Sequence, residues 1–218
     1  MTTKPMTIGV ISLCIVLAAA QPAQARPISY PGGWTFMTMN DGEQNMLHLN
    51  YTFTPSFSLG YNAEYWRDEK FQVHSLQANN LLKRWNNPGS QANVYLQSGL
   101  GAAYSDKVPH DSDWRPAAYV GIAADWENRR FYTAYENRYL WADDIHDSFM
   151  QKARIGVAPY IGDYGDLHTW IILQVSHTPE AEEEITFTPT LRLFKGDHLA
   201  EAGISSSGDV TFNWTIRF

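Results

Sequence analysis

Residues 210–218 read VTFNWTIRF. In an extended chain, successive side chains point to opposite faces. Val210, Phe212, Trp214, Ile216 and Phe218 therefore share one face, and Thr211, Asn213, Thr215 and Arg217 share the other. The alternation is strict and reaches the last residue. Terminal residues usually fray unless something ties them down. A two-faced strand ending in a bulky aromatic has to be held along its whole length.

The same rhythm recurs upstream. MLHLNYTF sets Leu47, Leu49, Tyr51 and Phe53 against His48, Asn50 and Thr52. FSLGYNAEY sets Phe57, Leu59, Tyr61, Ala63 and Tyr65 against Ser58, Gly60, Asn62 and Glu64. ITFTPTLRL sets Ile185, Phe187, Leu191 and Leu193 against Thr186, Thr188, Thr190 and Arg192. Such runs separated by turn residues are the pattern of consecutive antiparallel strands. The spacing predicts twelve strands, with ten as the alternative: 33–39, 45–54, 56–66, 71–84, 91–104, 115–126, 129–141, 149–161, 167–177, 185–194, 198–205 and 209–218. Runs 71–84 and 167–177 alternate poorly, so their facing is left open.

The links alternate as well. Every second one is tight: 54–56, 86–90, 127–129, 162–166 and 195–197. Between them fall the long ones at 106–113, 142–148 and 177–184, which are rich in acids. Short turns at one end and long loops at the other characterise bacterial outer-membrane barrels.

At the other terminus, Lys4 precedes the apolar run Ile8 to Ala20, followed by Ala23-Gln24-Ala25. This reads as an exported leader, residues 1–25, cleaved before Arg26. Residues 26–218 then form one domain without cysteine, since Cys14 lies in the leader; disulfides and thiolate chemistry are excluded. The net charge of -7 argues against nucleic acid as a partner. No later stretch has the apolar length of a spanning helix, so a membrane location requires a closed barrel.

Alternation alone does not say which face is wet, and a soluble cup-shaped barrel is the alternative. Two features favour an outward apolar face. Trp66, Trp114 and Trp141 gather at loop-side strand ends, and Trp85, Trp126 and Tyr160 at turn-side ends, as interfacial girdles do. Glu64, Asp125, Arg130, Glu136, Arg138, Lys152, Arg154, Arg192 and Arg217 fall on the opposite face. So many charges are costly in a small dry core.

With that pattern in place, VTFNWTIRF resembles the C-terminal strand of Gram-negative outer-membrane β-barrels. The resemblance is to the class, and it implies an antiparallel up-and-down transmembrane barrel with both termini in the periplasm. It also implies that Phe212, Trp214, Ile216 and Phe218 form the signal read by the barrel-assembly machinery. The last strand would pair with the first to close the wall. Lipid and lipopolysaccharide are the implied surroundings.

About eight strands give a filled interior, and sixteen to eighteen an aqueous channel; twelve lie between. The inward charges then form either a filter for small polar or anionic solutes or a plug of ion pairs. In the first hairpin, Met37 and Met39 share a face of one strand, and Met46 and His48 a face of the next. Thioethers with an imidazole suit a soft cation, Cu(I) above all, whereas methionines that merely fill gaps are the plain alternative. The acids Asp143, Asp144 and Asp147 with His146, or the run Glu180 to Glu184, offer oxygen ligands for hard cations or a simply solvated surface. For hydrolysis a nucleophile needs a base within reach. His74–Ser75 and Ser176–His177 are immediate neighbours and so point to opposite faces. The expected role is a small passive channel or envelope protein with a charged lumen, without a required cofactor. A copper-handling barrel, an adhesion barrel and a lipid-modifying enzyme are the other readings.

Overall fold

The computed structural model describes residues 26–107, 113–163, 165–179, 181 and 183–218. The expected leader 1–25, the centre of the link 106–113, and Glu180 and Glu182 of the acidic run lie outside the described residues.

Twelve strands form one closed antiparallel barrel in which each strand pairs with its sequence neighbours and β1 pairs with β12. They are β1 Trp34–Asn40, β2 Gln44–Thr54, β3 Phe57–Trp66, β4 Phe71–Asn87, β5 Ser90–Ser105 and β6 Trp114–Asn128. The second half comprises β7 Phe131–Ala142, β8 His146–Val157, β9 His168–His177, β10 Ile185–Lys195, β11 His198–Ile204 and β12 Val210–Arg217. The wall is uneven, with 17 residues in β4 against 7 in β1 and β11.

The pleat sorts the side chains as the alternation requires. Leu76, Leu100, Ile155 and Val210 point outward and are 62–73% exposed. Asn50, Asn62 and Asn79 point inward and are fully buried. Apolar groups outside and polar groups inside invert the arrangement of a soluble barrel, and only a surrounding apolar phase makes that arrangement favourable. The seam closes as the last strand implied: Trp34 N donates to the Phe218 carbonyl at 2.7 Å, and Phe218 N donates back to the Trp34 carbonyl at 3.1 Å. Val210, Phe212 and Phe218 are exposed on the outer wall.

Two links differ from their expected lengths. The stretch 142–148 contracts to a turn at 143–145, because β7 and β8 pair as far as Ala142 and His146. Asp144 takes a left-handed φ of 54° there, which a short acidic side chain tolerates. Conversely, the expected tight turn at 162–166 is part of a longer link, 158–167. Pro159 has no N–H to extend the β8 ladder. Gly162 accepts from Arg129 Nη2 at 3.0 Å, fixing the link beside the β6–β7 turn.

The weakly alternating runs also resolve. Phe71 and Val73 on β4 point inward, as do Trp170 and Ile172 on β9. Apolar residues stand on the polar face here because they pack against one another inside the barrel. Trp66, Phe71, Val73, Tyr119, Leu140 and Met150 form one internal cluster toward the loop end, and Tyr132, Trp170 and Ile172 belong to a second toward the turn end. Trp66 was expected in a girdle; it instead lies inside, 2% exposed and stacked on Phe71 at 5.5 Å. Its even-numbered position on β3 follows Glu64 inward. Trp114, Trp141, Trp85, Trp126 and Tyr160 are exposed, as girdle residues should be.

Candidate functional site: a braced lumen

The interior is crossed by three knots of charge. On β3, Glu64 is fully buried and receives both guanidinium nitrogens of Arg138 from β7, one at 2.8 Å. Asn62 donates to the same carboxylate at 2.5 Å. Arg138 also lies over the Tyr119 ring, 4.0 Å from its centroid, and that ring rests against Gly99, where a Cβ would come within 2.2 Å of it.

The second knot centres on Glu201 of β11. It accepts from Arg192 Nε at 2.6 Å, Arg154 Nη2 at 2.9 Å and Asn213 Nδ2 at 2.9 Å. Arg192 and Asn213 are its direct cross-strand neighbours, whereas Arg154 reaches it from β8 across the interior. Arg192 is covered by the Tyr132 ring at 4.5 Å.

The third knot is made by the segment before β1. Residues 26–29 run inside the turn end of the wall, and residues 30–32 are exposed at its rim. Ser58 Oγ donates to the Pro27 carbonyl at 3.0 Å, Ser29 N donates to Thr52 Oγ1 at 3.0 Å, and Ile28 is buried. Arg26 donates to Glu127 Oε1 at 2.5 Å, to Asp125 Oδ1 at 3.3 Å and to Gln91 Oε1. Asn93 completes the set with a 2.7 Å bond to Asp125.

Between these knots lies a cavity of about 190 Å³. Its walls carry Arg138, Lys152, Arg154 and Arg192 together with Asp41, Asp125, Glu136 and Glu201. Lys152 is 3.7 Å from Asp41 in the β1–β2 turn, and Glu136 is solvent-exposed, so this part of the lumen is wet. Arg26, Leu199 and Thr215 border both the cavity and a vestibule at the turn end, whose wall includes Arg84 and Arg217. At the loop end, burial raises the Glu43 carboxyl above its usual range, and Asp41 beside it adds to the effect.

Of the nine charged residues expected on the lumen face, eight line the interior. Arg130 does not: it is exposed in the turn before β7, its backbone N–H capped by Asn128 Oδ1 at 2.7 Å. Met37, Met39, Met46 and His48 all line the cavity, with Met37 directly opposite His48 and Met39 opposite Met46. Among the described residues the loop acids do not converge. His146 turns inward against Trp66 at 5.4 Å, while Asp147 faces outward and accepts from Tyr139 at 3.2 Å. Among the described residues no three His, Cys, Asp or Glu side chains form a metal-sized group. The two Ser/His neighbours also split between faces. His74 bonds Tyr61 on the outer wall at 2.5 Å while Ser75 is buried inside, and His177 pairs with Gln151 at 2.8 Å.

Sequence periodicity does not single out Arg26, Glu127 or Glu201. Arg26 sits in what reads as a linker. The two acids are legible only as inward positions, and their importance depends on which bases face them.

No family model matches the sequence, and no curated protein is significantly similar to it. Solved structures do match. A KdgM porin in complex with disordered oligogalacturonate superposes with a TM-score of 0.54 at 10% identity, over 85% of this chain and 98% of that one. The fold is that of Gram-negative outer-membrane β-barrels. The Acinetobacter baumannii outer membrane protein Omp33 matches with a TM-score of 0.42 at 7% identity, over 88% and 99% of the two chains. Pseudomonas aeruginosa OccK11 matches with a TM-score of 0.42 at 7% identity, covering 84% of this chain and 63% of that one.

Proposed function

We propose that the protein is a narrow outer-membrane channel for small polar solutes, closed at its turn end by the segment containing Arg26. The observation that carries this reading is the wet, charge-lined cavity of about 190 Å³, which meets the turn-end vestibule at Arg26, Leu199 and Thr215. A lumen of this size, smaller than a typical drug-binding pocket, takes a solute up to the size of a single sugar, not an oligosaccharide. Its bases are already engaged by acids: Arg138 by Glu64, Arg154 and Arg192 by Glu201, Lys152 by Asp41. The oligogalacturonate named with the KdgM porin is therefore a poor guide to the solute here. Selection by neutralised pairs favours small zwitterionic or uncharged polar molecules over polyanions.

The outward apolar wall and its exposed rings support residence in the outer membrane, with lipopolysaccharide at the loop end. The alternating last strand supports handling by the barrel-assembly machinery. The test is single-channel recording of the full chain, expressed with its leader and purified from membranes, in planar bilayers. Small, reproducible steps with weak ion preference are expected. A heat-modifiable barrel that inserts and never conducts, whether as the natural sequence or as Arg26→Ala, overturns the reading.

A further inference from the structure

The first hairpin has chemistry that a channel for small polar solutes does not use. Met37 on β1 stands directly opposite His48 on β2, and Met39 directly opposite Met46. Cross-strand partners on one face hold their Cβ atoms about 5 Å apart, so the four side chains form a compact two-rung ladder. All four border the same cavity. Met37, Met46 and His48 are each at most 9% exposed. Above the upper rung lies the turn carrying Asp41 and Glu43, which gives the ladder an acidic mouth.

His48 supplies the observation that points to a ligand. Its Nδ1 is 2.7 Å from Gln77 Oε1. The orientation of that amide is fixed from behind, because Gln77 Nε2 donates to Asn79 Oδ1 at 2.9 Å, and Asn79 Nδ2 donates to Asn50 Oδ1 and Ser58 Oγ, each at 3.1 Å. With an acceptor oxygen facing it, Nδ1 carries the proton, and the lone pair of the neutral ring is on Nε2. Nε2 is buried and has no hydrogen-bond partner. A buried acceptor left bare is costly and uncommon. An imidazole oriented through one nitrogen, with the other presented bare, is the usual arrangement of a metal-binding histidine.

The donors beside it are thioethers. They are neutral and polarisable, and they discriminate against hard cations, which need oxygen ligands. No thiolate or carboxylate belongs to the ladder, which disfavours zinc. We infer that His48 Nε2 and the sulfurs of Met37, Met39 and Met46 bind one soft monovalent cation inside the lumen, Cu(I) by chemistry and Ag(I) as its redox-inert counterpart. Met150 borders the same cavity, but its sulfur accepts from Gln44 Nε2 at 3.6 Å and it serves as wall, not ligand.

The test uses the membrane-purified full chain in detergent, titrated with Ag(I) in a chloride-free buffer. One Ag(I) per barrel is expected by calorimetry. In the ¹⁵N spectrum, His48 Nε2 should shift on binding while Nδ1 keeps its proton. Replacing Met37, Met39 and Met46 together by Leu conserves volume and should weaken binding roughly a hundredfold or more, with heat-modifiable gel mobility unchanged. The single His48→Gln variant should do the same and serves if the triple variant fails to fold. No stoichiometric binding by the natural sequence, or binding that survives either change, overturns the inference. Binding is read without conductance, so this result and the channel reading stand or fall separately.

Discussion

The guanidinium of Arg138 on β7 grips the carboxylate of Glu64 on β3 from across the lumen, bridging walls four strands apart. Glu64 is 2% exposed, and besides Arg138 its carboxylate is bonded by the neutral amide of Asn62. Arg138→Ala should cost about 3–5 kcal/mol, the usual penalty for leaving one member of a buried pair alone. Pairing the change with Glu64→Gln should recover most of the loss. Urea unfolding of the refolded barrel in lipid vesicles measures both, and equal stability of the single and double variants would count against a bracing role.

Arg26 holds its segment to β5 and β6 through Gln91, Asp125 and Glu127. Asp125→Asn together with Glu127→Gln removes both charges while preserving shape. The segment should then leave the turn end more often, and planar-bilayer recordings should show a several-fold larger open conductance or longer open times. Unchanged traces would mean that Pro27 and Ile28 close the vestibule without help from Arg26.

Gly99 is the seat of the Tyr119 ring, which in turn carries Arg138. Gly99→Ala places a methyl where the ring lies and should destabilise by about 1–3 kcal/mol through overpacking. A shift in the gel-mobility melting temperature reads this directly. Tyr119→Leu in the same background should relieve part of the effect, because the clashing ring is gone.

Glu43 in the β1–β2 turn has its carboxyl held above the ordinary 4.5 by burial, with Asp41 adding to the effect. The folded state therefore prefers the protonated acid. The stability that Glu43 contributes is fully present below pH 4.5 and is lost as pH rises through the elevated value. Glu43→Gln should raise stability at pH 7 and leave it nearly unchanged at pH 4. Thermal unfolding of both proteins at the two pH values tests the sign.

Strand number and the facing of most strands are legible in the sequence, because a pleat with one lipid face writes its period into most runs, and the closing seam follows from the resemblance of the last strand to those of outer-membrane barrels. VTFNWTIRF and MLHLNYTF are the clearest cases. Where the rhythm weakens, at Phe71, Val73, Trp170 and Ile172, the cause is apolar packing inside the barrel. A period of two locates inward residues but says nothing of their liking for one another. Register is likewise silent in a single strand, so the partners of Glu201 emerge only when Arg192 and Asn213 are set opposite it and Arg154 reaches across. The Met/His ladder is visible as two same-face pairs, yet the bare Nε2 of His48 depends on Gln77, two strands away. Arg26 left the faintest trace, a lone base beside a proline.

The paired amides and carbonyls of Trp34 and Phe218 join nearly the two ends of the described chain. Until that contact forms, the sheet has two bare edges, each with a row of unsatisfied N–H and C=O groups. Hydrocarbon does not accept such edges. Insertion and closure are therefore one event, and the contact between Trp34 and Phe218 decides when the wall can become a membrane protein at all.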